Sequence, residues 1–254
     1  MAGNTGTAGA TVASRVLALL GAFDAQHRSR TLTQLARHAG LPLATAHRLV
    51  GELVAWGALT RQPSGGYVIG RRLWDLGLLA PVQSGLRQLA EPFLHDLYGA
   101  TLATVHLAVR DGIQVLYVDR MAGHASVPVV SEVGTRLPLH ATGVGKVLLA
   151  YAPDDVQATA LAHLTRITPY TITQPGRLRE QLRRVRRDGY AQTSEEMSLG
   201  AASVAVPIRD VNARVVAALG IVVPGLERGR PRLVAALQVA ARGIERRIAE
   251  HAAT

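Results

Sequence analysis

The sequence predicts an α+β protein with a winged helix-turn-helix in its N-terminal part and a mostly antiparallel sheet in its larger C-terminal part. Two observations lead to this prediction. Within residues 31–70, two runs with helical periodicity are followed by a hairpin pattern with glycines at its tip. Beyond residue 100, β-rich runs and hairpin signals alternate with helical runs, which is typical of helices packed on an antiparallel sheet.

The segment from Thr31 to Gly70 predicts two short helices joined by a tight turn. Thr31 and Gln34 have the spacing of a capping box, which satisfies free amides at a helix start. Gly40 stands where a helix C-cap glycine belongs, and Pro42 fits the first turn of the next helix. The apolar face of that second helix consists of Ala46, Leu49, Val50, Leu53 and Val54.

The opposite face of the second helix is expected to meet double-stranded DNA. A recognition helix presents its N-terminal residues to base edges in the major groove. Arg48 is suited to bidentate contact with guanine, whereas His47 taken alone also fits a partly buried helix position. The DNA-contacting residues predicted in the two helices are Thr33, Ala44, Thr45, His47 and Arg48.

The hairpin after the second helix predicts a wing. Leu59–Arg61 and Tyr67–Ile69 form short β-rich runs around Pro63-Ser64-Gly65-Gly66, where glycine supplies the positive φ that a hairpin needs. Phosphate contacts are predicted from this wing for Arg61, Gln62 and Ser64.

Charge and composition are consistent with a nucleic-acid partner. The formal net charge is +10, and residues 1–80 carry eight arginines against three acids. The net charge of residues 1–80 is +5, equal to that of residues 81–254, although the second segment is about twice as long. Positive charge is therefore concentrated where phosphate binding is predicted. The chain has no cysteine, which excludes disulfides and thiolate metal sites. Without a signal peptide pattern or a membrane-length apolar run, we expect a cytoplasmic protein with no membrane partner.

The C-terminal part predicts alternating strands and helices. Predicted helices include Gly143–Tyr151, Asp154–His163, Arg177–Asp188 and Pro231–His251. The predicted strands are Thr104–Arg110, Ile113–Asp119, Val127–Val130, Tyr190–Ser194, Ser203–Ile208 and Val215–Val223.

Several short motifs, in this order and spacing, resemble the IclR family of bacterial transcriptional regulators over about residues 12–250. The motifs are GLPLATAHRLVGEL, GGYVIGRRLWDLG, LHATGVGKVLLA, RRDGYAQTSEE, and GAASVAVPIRD followed by VVAALGIVVP. The resemblance implies a winged-helix domain, a helical linker and a GAF-like effector domain. It also implies homodimers or homotetramers that bind a palindromic or repeated operator.

Combined with this resemblance, the sequence predicts four regions. Residues 1–10 are expected to be disordered, and residues 11–70 to form the winged helix-turn-helix. Residues 71–88 are expected to form the linker helix, and residues 89–254 the effector-binding and oligomerisation domain.

The resemblance also implies where a small effector binds. In the family, effectors lie between the LHATGVGK segment and the last strands of the sheet. Gly143 and Val144 begin a predicted helix, where free N–H groups favour a carboxylate. The residues placed at this site by the resemblance are Leu137, Gly143, Val144, Thr193, Ala201, Ser203, Gly220 and Val222.

This sequence departs from the pattern of keto-acid sensors in the family. Those tend to have an acid at the position of Thr193 and serines at those of Gly220 and Val222. A small polar acid would therefore lose hydrogen-bond partners here. The small Gly220 and Ala201 are expected to leave space, so we predict a larger or more apolar effector, such as an aromatic or branched carboxylic acid.

Alternative functions are disfavoured but left open. TGVGK lacks the first glycine and the final Ser or Thr of a phosphate-binding loop, and Lys146 is expected at a helix surface or helix start. Glu195 and Glu196 are predicted to point to opposite faces of a strand, so we expect a structural role rather than catalysis. No metal and no cofactor are expected.

Two further interpretations concern the C-terminal part. This part could be an oligomerisation scaffold that binds no effector, because its predicted pocket has few polar groups. The arginine-rich run between Arg177 and Arg187 is expected to be the solvated face of a helix, with a DNA or subunit contact as the alternative.

Overall fold

The protein divides into two compact units, residues 1–82 and residues 83–254. The computed structural model describes residues 11–24, 27–78, 84–123, 127, 130–226 and 229–252. The disorder predicted for residues 1–10 and part of the predicted linker, residues 79–83, therefore lie outside the described residues.

The N-terminal unit has the helix–turn–helix–hairpin order that the sequence predicts. Strands β1 and β2 pair antiparallel, with Leu59 opposite Ile69. Buried side chains from the helices and β1, such as Leu19, Leu35 and Leu49, form one core. Its elements are α1 Val12–Leu20, α2 Leu32–His38, α3 Leu43–Trp56, β1 Leu59–Arg61, β2 Tyr67–Ile69 and α4 Arg71–Leu78.

Local signals set the helix ends in this unit. The Thr31 hydroxyl accepts a hydrogen bond from the Gln34 amide, and the Gln34 side chain accepts one from the Thr31 amide, which completes the predicted capping box. Gly40 follows the C-cap of α2 with φ +63°. Pro42 is the N-cap of α3 rather than a residue of its first turn, a shift of one position from the prediction.

The C-terminal unit is an antiparallel sheet with helices on both faces. The strand order is β5-β4-β3-β8-β7-β6, and every neighbouring pair is antiparallel, as the predicted fold class requires. Its elements are α5 Ser84–Thr101, β3 Thr104–Asp111, β4 Gln114–Met121, β5 Arg136–Pro138, the 3₁₀ turn Leu139–Ala141, α6 Gly143–Ala150, α7 Asp154–Ala162, α8 Pro175–Asp188, β6 Ala191–Ser194, β7 Ala202–Arg209, β8 Val215–Val223 and α9 Arg230–Ala252.

One strand of this sheet, β5, was not predicted from the sequence. Strand β5 is only three residues long and contains Pro138, so neither alternation nor β-propensity marks it in the sequence. Of the strand predicted at Val127–Val130, residues 128 and 129 lie outside the described part of the chain, and Val127 and Val130 are not in a strand.

The two faces of the sheet build two separate cores, because successive side chains of a strand point to opposite faces. Val105, Leu107 and Leu219 belong to the core on the α5 and α9 side. Ala108, Ala205 and Ala218 belong to the core on the α6 and α8 side. These three alanines are small, so α6 can lie close to the centre of the sheet.

Candidate functional sites: an exposed helix face and a buried cavity

Helix α3 buries one face and exposes the other. Ala44, His47 and Arg48 are exposed and Thr45 is half-buried, while the opposite face packs in the core. Arg48 forms an ion pair with Glu52 one turn later, and both side chains remain exposed. The exposed face can therefore meet an external partner without disturbing the core.

The wing and α2 place the other predicted contact residues on the surface. Arg61, Gln62 and Ser64 are exposed at the end of β1 and in the turn that follows, and Thr33 is exposed in α2. The Gln62 side chain accepts a hydrogen bond of 3.1 Å from the Ser29 hydroxyl, so it already has one partner within the unit.

The eight residues predicted for the effector site all line one cavity in the C-terminal unit, between α6 and the sheet. It has a volume of about 50 Å³. The eight lining residues are Leu137, Gly143, Val144, Thr193, Ala201, Ser203, Gly220 and Val222.

Strand register explains why residues so distant in sequence meet here. Thr193 of β6 pairs with Ser203 of β7, and Ser203 pairs with Val222 of β8. The hydroxyl oxygens of Thr193 and Ser203 are 2.6 Å apart and hydrogen-bonded. Helix α6 starts directly above them, since a Cβ atom on Gly143 would lie 2.5 Å from the Ser203 hydroxyl oxygen. The helix start and the two hydroxyls thus form one polar end of the cavity.

Gly220 does not leave the space that the sequence analysis expected. A Cβ atom built on Gly220 would lie 2.7 Å from Cγ1 of Val144, so the valine already occupies that position. The absence of a side chain instead lets α6 approach β8. The cavity lies beside this contact, and the expectation that Gly220 enlarges it is wrong.

A second polar end of the cavity was not predicted. Oγ of Ser131 and Nε2 of His106 are 2.8 Å apart, and the Tyr117 hydroxyl is hydrogen-bonded to the side chain of Thr142. The His106 and Tyr117 rings meet edge to face, with centroids 4.9 Å apart. All four residues line the cavity. A histidine within the otherwise apolar run of β3 was the one signal in the sequence that could have located this end.

Burial keeps the second polar end uncharged. Burial, together with the nearby charge of Arg120, lowers the pKa of His106 from 6.5 to about 3. Burial also raises the pKa of Tyr117 above its ordinary value. The imidazole and the phenol are therefore both neutral at physiological pH.

Lys146 is not at a helix surface or helix start, contrary to the expectation. Its side chain is 1% exposed in the middle of α6, and Nζ donates to Oε1 of Glu196 (2.5 Å) and to Oε1 of Gln181 (2.7 Å). Burial lowers the pKa of Lys146, and the Glu196 carboxylate opposes this shift. The spacing of apolar residues could not predict this burial, because Lys146 is charged and pairs with Glu196, a residue far away in the sequence.

Glu195 and Glu196 do not lie in a strand, so the prediction that they point to opposite faces of a strand was wrong. Strand β6 ends at Ser194, and Glu195 has a left-handed backbone with φ +55°. The Glu195 side chain accepts a hydrogen bond of 2.6 Å from the Gly200 amide. Both acids therefore hold the segment between β6 and β7, which forms one wall of the cavity through Met197 and Ser198.

Three further features concern metal ligands, membrane helices and the arginine-rich helix α8. Within the described ranges, no group of three or more His, Asp or Glu residues could hold a metal ion. None of the described helices is long and apolar enough to cross a membrane. In α8 the apolar side chains of Leu178, Leu182 and Val185 are buried, so the arginines beside them occupy the solvated face.

Comparisons with known proteins match both units. The family model of the IclR helix-turn-helix domain matches residues 12–63, and that of the bacterial transcriptional regulator IclR C-terminal domain matches residues 80–246. The HTH-type transcriptional regulator XynR of Escherichia coli is 33% identical over 82% of this chain and 83% of its own. The Pca operon regulatory protein of Acinetobacter baylyi is 32% identical over 87% of this chain and 81% of its own.

A solved structure is also similar over nearly the full length. The crystal structure of an IclR homolog from Microbacterium hydrocarbonoxydans, complexed with 4-hydroxybenzoate, is 35% identical with a TM-score of 0.90. It covers 94% of this chain and 100% of that one. With its winged helix-turn-helix, its helix-covered antiparallel sheet and both family models matched, this chain belongs to the IclR family of transcriptional regulators.

Proposed function

We propose that this regulator binds operator DNA through α3 and its wing, and that a small aromatic or otherwise apolar carboxylic acid in the C-terminal cavity changes that affinity. The observation that carries this proposal is the chemistry of the cavity lining, and at about 50 Å³ the cavity must widen to admit an aromatic ring. It has a polar end suited to a carboxylate, and apolar walls adjoin that end.

The first polar end has the chemistry that a carboxylate needs. Among the hydrogen bonds of the described residues, none uses the N–H groups of Gly143 and Val144 in the first turn of α6. Free amides at a helix start favour an anion, and the helix dipole has the same sign of effect. The hydroxyls of Thr193 and Ser203 lie beside them and can orient the carboxylate.

The walls disfavour a small keto acid. Leu137, Ala201 and Val222 line the cavity, and no Asp, Glu, Lys or Arg of the described residues does so. A short acid such as glyoxylate would set its polar atoms against apolar carbon, whereas a ring would bury apolar surface there.

A solved relative supports an aromatic acid. It is a complex with 4-hydroxybenzoate, and it aligns with nearly all of this chain.

The DNA interface in this proposal is the exposed surface of the N-terminal unit. Ala44, Thr45, His47 and Arg48 of α3 lie nearest the base edges, and Thr33 of α2 is a further DNA contact. All five are at least partly exposed. The wing residues Arg61, Gln62 and Ser64 contact phosphates.

Assembly and coupling complete the proposal. A homodimer or homotetramer places two winged helices on two operator half-sites. Residues 71–88 form the linker between the winged helix of residues 11–70 and the effector-binding and oligomerisation domain of residues 89–254. The effector changes DNA affinity only if it binds the DNA-competent and DNA-incompetent arrangements with different affinity.

The test is a gel shift with DNA from the intergenic region beside the gene, with benzoates, branched acids, glyoxylate and pyruvate added in turn. We expect an aromatic or branched acid to change operator affinity and to bind more tightly than either keto acid in calorimetry. Tighter binding of glyoxylate or pyruvate would contradict the proposed effector class. If none of these acids binds or changes operator affinity, the C-terminal part is better explained as an oligomerisation scaffold that binds no effector.

A variant pair shows whether the cavity is the sensor. Val222→Asp places a carboxylate in the cavity, so we expect the effector response to disappear while DNA binding remains. Val216→Asp is the matched control, because Val216 lies on the same strand but is exposed. A Val222→Asp protein that still responds would show that the effector binds elsewhere.

A further inference from the structure

The second polar end of the cavity has no role in binding a carboxylate at the first. His106 and Ser131 form it, and Tyr117 and Thr142 line the cavity as well, with Thr142 as the N-cap of α6 beside the first end. None of these four residues belongs to the effector site that the sequence implied. His106 and Ser131 are buried, at 3% exposure each. His106 and Ser131 already share one hydrogen bond, and the Ser131 hydroxyl keeps further hydrogen-bonding capacity that a polar group of a ligand can use.

The two polar ends lie on opposite sides of the cavity floor. Ser203 is on β7 and His106 on β3, and β8 runs between these strands with Gly220 paired to His106. Neighbouring strands are about 4.8 Å apart, so the two strands are separated by roughly 10 Å. A ligand that reaches both ends therefore needs polar groups at opposite ends of an apolar body.

The charge at this end selects the kind of polar group. The imidazole of His106 is neutral, since burial and the nearby Arg120 hold its pKa at about 3. Ser131 presents a hydroxyl beside it, and Arg120 is the cross-strand neighbour of His106. The nearby positive charge of Arg120 disfavours an amine. It also attracts a carboxylate, but Arg120 does not line the cavity, so a second carboxylate would lose its hydration without gaining a direct ion pair.

We propose that His106 and Ser131 recognise a neutral hydroxyl at the far end of the effector, so that the effector is a hydroxylated aromatic monocarboxylic acid. This inference rests on the proposed function. Its carboxylate lies at the start of α6, and its hydroxyl lies at the His106–Ser131 pair. In either histidine tautomer, the serine hydroxyl retains one further hydrogen-bonding site, which a ligand hydroxyl can fill as donor or acceptor.

Calorimetry on the full chain tests this with 4-hydroxybenzoate, benzoate and terephthalate as probes. We expect 4-hydroxybenzoate to bind about tenfold more tightly than benzoate, as one hydrogen bond provides. Terephthalate, which has a second carboxylate in place of the hydroxyl, should bind more weakly than both. Ser131→Ala should abolish the preference, so that 4-hydroxybenzoate and benzoate bind about equally. Ser131→Thr, which keeps the hydroxyl, should retain the preference.

Ser194→Ala is the matched control, because Ser194 is exposed on β6 and does not line this cavity. It should leave the preference unchanged. Equal binding of benzoate and 4-hydroxybenzoate by the unaltered protein would overturn the hydroxyl assignment, as would an equal preference in Ser131→Ala and the control. Failure of both aromatic acids to bind would instead overturn the proposed function, which makes the two failures distinguishable.

Discussion

At the scale of single residues, Arg48 is free to exchange its partner. Its ion pair with Glu52 joins two exposed side chains one helical turn apart. Such pairs contribute only about 0.3–0.5 kcal/mol. DNA can therefore displace Glu52 at little cost.

We predict that Arg48→Ala weakens binding to operator DNA by about 1–3 kcal/mol, the range for one bidentate base contact, and weakens binding to random DNA much less. Fluorescence anisotropy on both DNAs measures this difference. Arg61→Ala on the wing is the matched control and should weaken both about equally. An equal loss for Arg48→Ala would mean that Arg48 contacts phosphate only.

Loss of Lys146 should cost stability, because it pairs with a buried carboxylate. Oε2 of Glu196 is buried without a hydrogen-bond partner, so the carboxylate depends on the contact between Oε1 and Lys146. We predict that Lys146→Met lowers the free energy of unfolding by about 3–5 kcal/mol, because it leaves a buried unpaired charge. Urea denaturation measures this loss.

The double variant Lys146→Met/Glu196→Met separates charge from packing. Replacing a whole buried ion pair by apolar side chains is often neutral or stabilising. We therefore expect the double variant to recover most of the loss. A single variant as stable as the unaltered protein would show that the pair contributes nothing to holding α6.

At the scale of elements, the contact of α6 with β8 decides the shape of the cavity. Val144 of α6 occupies the position that a side chain on Gly220 would take. We predict that Gly220→Ala destabilises the C-terminal unit by about 1–3 kcal/mol through overpacking. Adding Val144→Ala should reduce that cost, which a double-mutant cycle in thermal denaturation would show as coupling.

Gly176→Ala is the matched control for this pair. Gly176 lies near the start of α8 with open space around it, so alanine should be tolerated or slightly stabilising there. Additive effects of Gly220→Ala and Val144→Ala would contradict the close contact.

The element scale also shows what local patterns can predict. The caps of α2 and the hairpin of β1 and β2 depend on neighbouring residues, so Thr31 and Gln34 predicted their helix start directly. Strand β5 and the buried Lys146 depend on partners elsewhere in the chain, on β4 and after β6. No periodic pattern marks either of them.

At the scale of the whole molecule, the two compact units allow ligand binding to be measured separately in each unit. A ligand that binds only the folded state stabilises it by about 2.7 kcal/mol at a concentration of one hundred times its Kd. We predict that 4-hydroxybenzoate at that concentration raises the Tm of the C-terminal unit by several degrees and leaves the N-terminal transition in place.

Differential scanning calorimetry, with and without 4-hydroxybenzoate and with and without operator DNA, measures the two transitions. Operator DNA should raise the other transition, because its contacts lie in the N-terminal unit. The Val222→Asp protein is the control and should show the DNA shift without the acid shift. An acid shift that is the same in both proteins would place the binding site outside the cavity.

The sequence alone determined the order of the elements apart from strand β5, the winged helix-turn-helix and, through the family resemblance, eight residues that line one cavity. These follow from short-range signals and motifs: caps, helical periodicity and turn residues. Only the tertiary structure showed that Val144 fills the space over Gly220, that Lys146 is buried against Glu196, and that His106 and Ser131 form a second polar end. The physical reason is register: pairing β3 with β8 and β8 with β7 brings together side chains about a hundred positions apart, and no local pattern encodes that pairing.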